Sequence, residues 1–131
     1  MPRTPTILII EDSSTQFKLI AAHLSQYDIN IIGAEDGIQG LRLVDAECPD
    51  LIVLDVNLPK MDGYQVCQRL KRDPSTREIP VIMLTSNDSS EDALKGLDAG
   101  ADDYIPKDAF ASENLLTTLR TIGLLGGSHD V

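Results

Sequence analysis

The chain has 131 residues, 42% of them hydrophobic, which is enough for one domain with one core, and we expect no second domain within it. Its 21 acidic and 11 basic residues give a formal net charge of -10, which argues against a surface that binds nucleic acid or an anionic membrane. No apolar run approaches the roughly 20 residues that span a bilayer, and the start lacks a signal-peptide cleavage pattern. We therefore expect a cytoplasmic protein without direct nucleic-acid contacts or membrane insertion.

Short runs of Ile, Val and Leu alternate along the chain with longer stretches of helical period, which is typical of an α/β fold with a parallel sheet. Strands are predicted at 6–10, 29–33, 51–55, 80–84 and 102–105. The first, third and fourth runs are apolar throughout, as expected of interior strands covered by helices on both faces. The second and fifth are more polar, and Pro106 has no N–H to donate, so these two are predicted at the edges of the sheet.

Residues that can begin or end a helix flank the stretches between the strands. Ser13 with Gln16 and Ser89 with Asp92 fit capping boxes. The other N-cap candidates are Asp36, Asp62 and Ser112, and the stop signals are Pro49, Gly100 and Gly123. We expect the domain to occupy residues 1–125 and residues 126–131 to form a flexible tail.

The two cysteines, Cys48 and Cys67, lack the close spacing of a metal or redox motif. We interpret both as small core residues.

Five strands in alternation with five helices imply right-handed crossovers and an open, doubly wound sheet. Functional sites in such sheets lie beyond the carboxyl ends of the strands. Polar residues stand at or just after four of the predicted strands, namely Glu11, Asp12, Asp55, Thr85 and Lys107. Each alone would fit an ordinary loop, but their shared placement favours a functional site.

The three acidic residues of this set, Glu11, Asp12 and Asp55, suggest a metal site. If they converge within about 5 Å, each like-charged pair repels by roughly 3 kcal/mol at an effective dielectric constant near 20. The strain can be relieved by protonation, which raises the pKa, or by a hard divalent cation, for which carboxylates suit Mg²⁺. We favour the metal. A cation there would neutralise charge during phosphoryl transfer, with Asp55 as the nucleophile that forms an aspartyl phosphate. The Thr85 hydroxyl and the Lys107 ammonium could then contact the phosphoryl group.

The chain resembles the receiver domain of two-component response regulators, of the single-domain chemotaxis-regulator type. The resemblance runs from about Thr6 to Leu125 and rests on four motifs: "IEDS" at 10–13, "LIVLDVNLPKMDG" at 51–63, "VIMLTS" at 81–86 and "GADDYIPK" at 100–107. It implies a (βα)5, flavodoxin-like, doubly wound fold with five parallel strands in the order 2-1-3-4-5.

The same resemblance implies roles for the site residues. Asp55 would be the phosphoacceptor, and Mg²⁺ would be held by Asp12, Asp55 and the backbone carbonyl of Asn57, with Glu11 reaching the metal through water.

Three further residues match positions that respond to the phosphoryl group in this family. Thr85 matches the switch hydroxyl, Lys107 the site lysine, and Tyr104 the aromatic residue that turns inward when the hydroxyl is drawn toward the phosphate.

The family also implies partners. The donor would be a histidine kinase or a phosphotransfer protein, and an effector protein would bind the surface formed by the fourth predicted helix, the fifth strand and the last helix. Such a domain catalyses only its own phosphorylation and dephosphorylation. We expect a stand-alone protein that acts in chemotaxis, motility or a phosphorelay, and we leave open whether the phosphorylated form is a homodimer.

One departure from the family concerns the residue after Lys107. The family commonly has proline there, joined by a cis bond, whereas this chain has Asp108 after the lysine and Pro106 before it. A cis bond to a residue other than proline costs roughly 2.5–4 kcal/mol, so a trans bond is expected. We predict that Lys107 still reaches the site and that the loop through Ala109 and Phe110 is rearranged.

Three other functions can be weighed against the sequence. A phosphatase or phosphotransferase with a nucleophilic Asp usually carries a second Asp two residues later, where this chain has Asn57. A dinucleotide-binding or flavodoxin-like module would need a glycine-rich phosphate loop, and the chain has no G-x-G-x-x-G motif. A docking module that is never phosphorylated would not need all five site residues.

Overall fold

The structure is a computed structural model that describes residues 4–85, 94–95, 97–108 and 110–123. The strands are β1 Thr6–Ile10, β2 Asn30–Ala34, β3 Leu51–Asp55, β4 Val81–Thr85 and β5 Asp103–Pro106. The labelled helices are α1 Ser14–Leu24, α2 Gly37–Glu47, α3 Gly63–Arg72 and α4 Ala111–Ile122. Residues 94–95 and 97–98, which precede β5, are also helical.

All strand pairs are parallel, and the sheet order is β2-β1-β3-β4-β5. This confirms the predicted fold class, the strand order and the placement of the second and fifth strands at the edges. The predicted bounds of β1 and β3 are those observed, whereas β2 and β4 each begin and end one residue later than predicted. The fifth strand also begins and ends one residue later, so that Pro106 is its last residue.

The sheet is buried on both faces, and β3 and β4 are buried along their whole length. Because side chains alternate along a strand, the sheet divides the core into two clusters. One cluster joins Leu8, Leu54 and Met83 to residues of α2 and α3, and the other joins Ile9, Val53 and Ile82 to residues of α1 and α4. Burial of each such side chain stabilises the fold by about 1.5–3 kcal/mol, so the strand register is strongly fixed. Among the described helices, none has the length and apolar character needed to cross a bilayer.

Side chains cap three of the helices as predicted. Ser13, Asp36 and Asp62 are the N-cap residues of α1, α2 and α3, and Asp62 forms a reciprocal capping box with Gln65. The prediction for Ser112 is wrong, because the last helix begins at Ala111 and Ser112 lies inside its first turn. The predicted capping box at Ser89 and Asp92 lies outside the described residues.

The two cysteines differ in burial. Cys67 is buried as expected, its Sγ contacts the carbonyl oxygen of Ala99 at 3.4 Å, and burial raises the pKa of its thiol to about 11. The prediction for Cys48 is wrong, because this residue is exposed. Cys48 lies just beyond the end of α2 and has a left-handed φ of 46°. The chain turns away from the helix there, and the next residue, Pro49, is the one that is buried. The expected tail at 126–131 lies outside the described residues.

Candidate functional site

The acidic residues of the site follow two neighbouring strands. β1 and β3 are paired with Ile10 opposite Leu54, so Glu11, Asp12 and Asp55 emerge at the same edge of the sheet. One carboxylate oxygen from each of the three lies within 4.8 Å of the others. Glu11 is 3% exposed and Asp55 2% exposed, whereas Asp12 is exposed to solvent. The sheet therefore assembles the acidic cluster that the sequence predicted.

Asp55 is buried because the strand that carries it is buried and because α3 begins against its backbone. The Gly63 N–H donates to the carbonyl oxygen of Val56 at 2.9 Å, which brings the start of α3 beside the end of β3. The Asp55 side chain accepts a hydrogen bond at Oδ1 from the Asn57 N–H at 3.1 Å. These contacts fix the orientation of the carboxylate and leave Oδ2 to face the rest of the site.

Lys107 supplies the cation of the site. Its ammonium nitrogen lies 2.9 Å from Asp55 Oδ2 and 2.9 Å from Glu11 Oε1. Burial alone would lower the pKa of this ammonium, but its close contacts with the Glu11 and Asp55 carboxylates outweigh burial and raise the pKa. The bond between Lys107 and Asp108 is trans. The lysine thus reaches the site through a trans bond, as predicted, while Ala109 lies outside the described residues.

Glu11 is the most perturbed acid of the cluster. Burial raises the pKa of its carboxyl to about 7, the Lys107 ammonium opposes that rise, and the nearby Asp55 adds to it. Its Oε2 accepts a hydrogen bond from the Ser13 N–H at 3.2 Å. Its Oε1 is buried and, among the described residues, has the Lys107 ammonium as its neighbour but no well-aligned hydrogen bond.

The donor set fits a hard divalent cation. The available ligands are carboxylate oxygens, which suit Mg²⁺ better than softer metals, and Asp12 lies on the solvent side where a cation can enter. The under-satisfied Glu11 Oε1 is a further oxygen that gains from a nearby positive charge. The acidic cluster is therefore compatible with a Mg²⁺ site.

Comparison with known proteins agrees with this geometry. Residues 7–120 match the family of the response regulator receiver domain. The chain belongs to this family. It is similar to the DNA-binding dual master transcriptional regulator RpaA of Synechocystis sp., with 44% identity over 118 residues. That match covers 90% of this receiver domain and 48% of RpaA, so the chain spans about half the length of that relative.

Two solved receiver structures are also similar. The chemotaxis response regulator CheY4 of Vibrio cholerae has a TM-score of 0.83 and 27% identity, with 92% of this chain and 99% of that chain covered. The Mn²⁺-bound form of response regulator Rcp1 has a TM-score of 0.76 and 28% identity, with 91% of each chain covered.

The two predicted switch residues of the receiver domain lie on neighbouring strands. Thr85 ends β4, is 1% exposed, and its carbonyl oxygen accepts the Lys107 N–H at 2.6 Å. Tyr104 lies on the edge strand β5, is half-buried, and packs against the core cluster on the α2–α3 side of the sheet. Asn57 is exposed, and its N–H is held by Asp55. The switch role of Thr85 and Tyr104 and the metal-ligand role of the Asn57 carbonyl remain predictions.

Sequence reasoning missed three supporting residues of the receiver site. The Ser13 N–H orients Glu11, although Ser13 had been predicted only as a helix cap. Gly63 allows α3 to begin against Asp55, and the available signal was a glycine directly after the predicted N-cap residue Asp62. Asp108 forms hydrogen bonds next to Lys107, and its departure from the family pattern was the signal there.

The raised pKa of Glu11 predicts a pH dependence of stability. Between pH 4.5, the ordinary pKa of this carboxyl, and its folded value of about 7, the folded metal-free protein holds a proton that the unfolded chain has released. The free energy of unfolding should therefore fall as the pH rises through this window, by on the order of 2 kcal/mol. Urea denaturation in the presence of a chelator at pH 5, 6 and 7 would measure the effect.

The matched variants are Glu11→Gln, which should remove this part of the pH dependence, and Glu35→Gln at an exposed glutamate, which should retain it. Equal slopes for the natural protein and Glu11→Gln would contradict the assignment of the titration to Glu11.

Proposed function

We propose that this receiver domain is a phosphorylatable signalling switch that accepts a phosphoryl group on Asp55. The donor is a phosphohistidine of a histidine kinase or a phosphotransfer protein. One observation carries the proposal: Asp55 is a buried carboxylate within 4.8 Å of the Glu11 and Asp12 oxygens and 2.9 Å from the Lys107 ammonium. A structural aspartate gains nothing from two further acids, whereas a phosphoacceptor with a metal and a lysine does.

The chemistry follows from the positions of these groups. One Asp55 oxygen attacks the phosphorus atom, the bond from phosphorus to the donor imidazole breaks, and the imidazole nitrogen keeps that electron pair. The Asn57 N–H holds Oδ1, so the carboxylate is oriented before the donor arrives. Mg²⁺ held by Glu11, Asp12, Asp55 and the Asn57 carbonyl would neutralise charge on the transferred oxygens.

Two other side chains respond to the new phosphoryl group, which carries about -1.5 to -2 charge. The Lys107 ammonium lies close enough to Asp55 to pair with a phosphoryl oxygen. The Thr85 hydroxyl, at the end of the neighbouring strand, donates to another oxygen. Movement of Thr85 toward the phosphoryl group frees space into which Tyr104 turns, and this biases a pre-existing equilibrium between two conformations.

The output surface consists of the helical residues before β5, β5 itself and α4. Leu94 and Leu97 on this helical segment are each 59% exposed, and Phe110 before α4 is 61% exposed. Large apolar side chains that remain in water favour burial against a protein partner. An effector protein therefore binds here with an affinity that depends on phosphorylation, and a second phosphorylated copy is one candidate occupant.

We propose a stand-alone domain of residues 1–125 with a short tail at 126–131, cytoplasmic and acting in chemotaxis, motility or a phosphorelay. The similarity to CheY4, which covers 99% of that chain, supports this form of output. Its catalysis is confined to its own phosphorylation and dephosphorylation, since Asn57 stands where a phosphatase of the aspartyl type would carry its acid.

A second candidate is the receiver part of a DNA-binding regulator, which the similarity to RpaA favours. The net charge of -10 makes direct DNA contact by the domain itself unfavourable, so DNA binding would require another polypeptide segment. An affinity capture with the phosphorylated domain, followed by identification of the bound proteins, separates a motility or kinase component from a transcription complex.

The proposal is tested by incubation of the protein with Mg²⁺ and a small acyl phosphate, followed by intact-mass measurement. We expect a mass gain of one phosphoryl group, lost when Mg²⁺ is replaced by a chelator. No gain with Mg²⁺, or an equal gain without it, would overturn the proposal.

A further inference from the structure

The backbone around Lys107 forms a tight turn. The Lys107 N–H donates to the carbonyl oxygen of Thr85 at 2.6 Å, and the Asp108 N–H donates to the carbonyl oxygen of Pro106 at 3.0 Å. A bond between residues two apart defines a γ-turn, and the φ of Lys107 is not positive, which makes the turn the common inverse form. Lys107 is the central residue of this turn, so its side chain leaves the backbone in a fixed direction.

Asp108 ties this turn to the last helix. Its Oδ1 accepts the Phe110 N–H at 2.8 Å, and its carbonyl oxygen accepts the Ala111 N–H at 3.1 Å. Phe110, the N-cap residue of α4, makes no side-chain cap of its own. Asp108 thus accepts two hydrogen bonds from the start of α4, one at its side chain and one at its carbonyl oxygen, and its own N–H closes the turn at Lys107.

The Asp108 carboxylate does not act by attracting the lysine directly. Within the part of the chain that the structure describes, the ion pairs of Lys107 are with Glu11 and Asp55, and Asp108 is exposed. The connection between Asp108 and the site therefore runs through the backbone. A lysine side chain loses much rotamer freedom when it is held in one geometry. A fixed backbone conformation at Lys107 therefore helps to orient the side chain toward the site.

We infer that Asp108 is a positioning residue that aims Lys107 at Asp55 and Glu11, in the place where the family commonly carries proline. The inference rests on the proposed function, because it assigns to Asp108 an effect on phosphoryl transfer. Its physical content is separate: the side-chain oxygen of Asp108 anchors the turn to α4, and the turn orients the lysine. An asparagine retains that oxygen, whereas an alanine does not.

The first test compares Asp108→Ala, Asp108→Asn and the natural protein in their rate of phosphorylation by a small acyl phosphate. Because a misplacement of about 1 Å can cost about a hundredfold in rate, we expect Asp108→Ala to lose about tenfold. Asp108→Asn should keep the natural rate, as should Asp28→Ala, which removes an exposed aspartate elsewhere. If Asp108→Ala does not fold, Asp108→Ser carries the test, because its shorter acceptor should give an intermediate rate. A natural rate in the alanine and serine variants would overturn the inference.

A double-mutant cycle separates positioning from a general structural role. Lys107→Met should lower the rate by roughly 10²–10³-fold, since it removes a charge that stabilises the transferred group. If Asp108 acts through Lys107, adding Asp108→Ala to Lys107→Met should lower the rate no further. The same tenfold loss in both backgrounds would show that Asp108 acts independently of the lysine.

A readout in the metal-free protein distinguishes failure of this inference from failure of the proposed function. The carboxyl-carbon NMR signals of Glu11 and Asp55 report the nearby ammonium without any phosphorylation. Asp108→Ala should shift these signals toward their positions in Lys107→Met, and Asp108→Asn should leave them unchanged. Unshifted signals in the alanine variant would overturn the positioning role, whether or not the natural protein gains a phosphoryl group.

Discussion

Replacement of Asp55 by asparagine is expected to abolish the phosphoryl gain, with a rate at least about a thousandfold below that of the natural protein. The amide has no oxygen of comparable nucleophilicity, so an acyl phosphate cannot form at this position. The fold should persist, because the amide oxygen can still accept the Asn57 N–H and because one of three clustered negative charges is removed. Intact-mass measurement after incubation with Mg²⁺ and an acyl phosphate gives the rate.

The matched control is Asp28→Asn, at an exposed aspartate in the turn between α1 and β2, which should be phosphorylated like the natural protein. A phosphoryl gain in Asp55→Asn at the natural rate would remove Asp55 from the role of acceptor.

Replacement of Gly63 by alanine is expected to lower the free energy of unfolding by about 3 kcal/mol. A Cβ at this position would overlap the carbonyl oxygen of Asp55 and would lie 2.8 Å from the Cα of Val56. Since both obstacles are backbone atoms, no side-chain rotation can relieve them, and α3 must move away from β3. The displacement would also disturb the Asp55 carboxylate, so the folded variant should be phosphorylated more slowly. Urea denaturation measures the stability.

Gly33→Ala is a useful comparison, because the added Cβ would meet the Phe17 ring at 2.6 Å. That ring is a half-buried side chain and can turn aside, so the loss should be smaller, about 1 kcal/mol. Equal losses for the two variants would contradict the close packing of α3 on the end of β3.

The burial of the strands and the identity of the two edge strands could be predicted because they depend on local patterns, whereas the full strand order was implied by the resemblance to the receiver family. The runs 51–54 and 81–84 are apolar on both faces. Both faces of such a run are buried only in an interior strand of a sheet that helices cover on each side. Besides shifts of one residue in the bounds of β2, β4 and β5, the wrong predictions lie at helix ends. Ser112 and Cys48 each depend on where a helix begins or ends to within one residue, and such bounds are set by tertiary contacts rather than by propensity.

The acidic cluster could also be predicted, because parallel strands bring their carboxyl ends to one edge. Its internal arrangement could not. Glu11 is almost fully buried while Asp12 is exposed, and a single ammonium contacts both Glu11 and Asp55. The sequence shows that the residue after Lys107 departs from the family pattern, but the hydrogen bonds of Asp108 could not be predicted, because they depend on how the end of β5 meets the start of α4. Distances across the site thus come from the packing of four neighbouring strands and the loops that follow them.

The most direct test of the account is to locate the phosphoryl group within the chain. The protein is incubated with Mg²⁺ and a small acyl phosphate as the donor. The acyl phosphate formed on the protein is then reduced with borohydride, and the modified residue is identified by peptide mass spectrometry. The account predicts reduction at Asp55 when Mg²⁺ is present and none when it is chelated. Reduction at Glu11, at Asp12 or at an acid outside the site, or reduction at Asp55 that does not require a divalent cation, would contradict it.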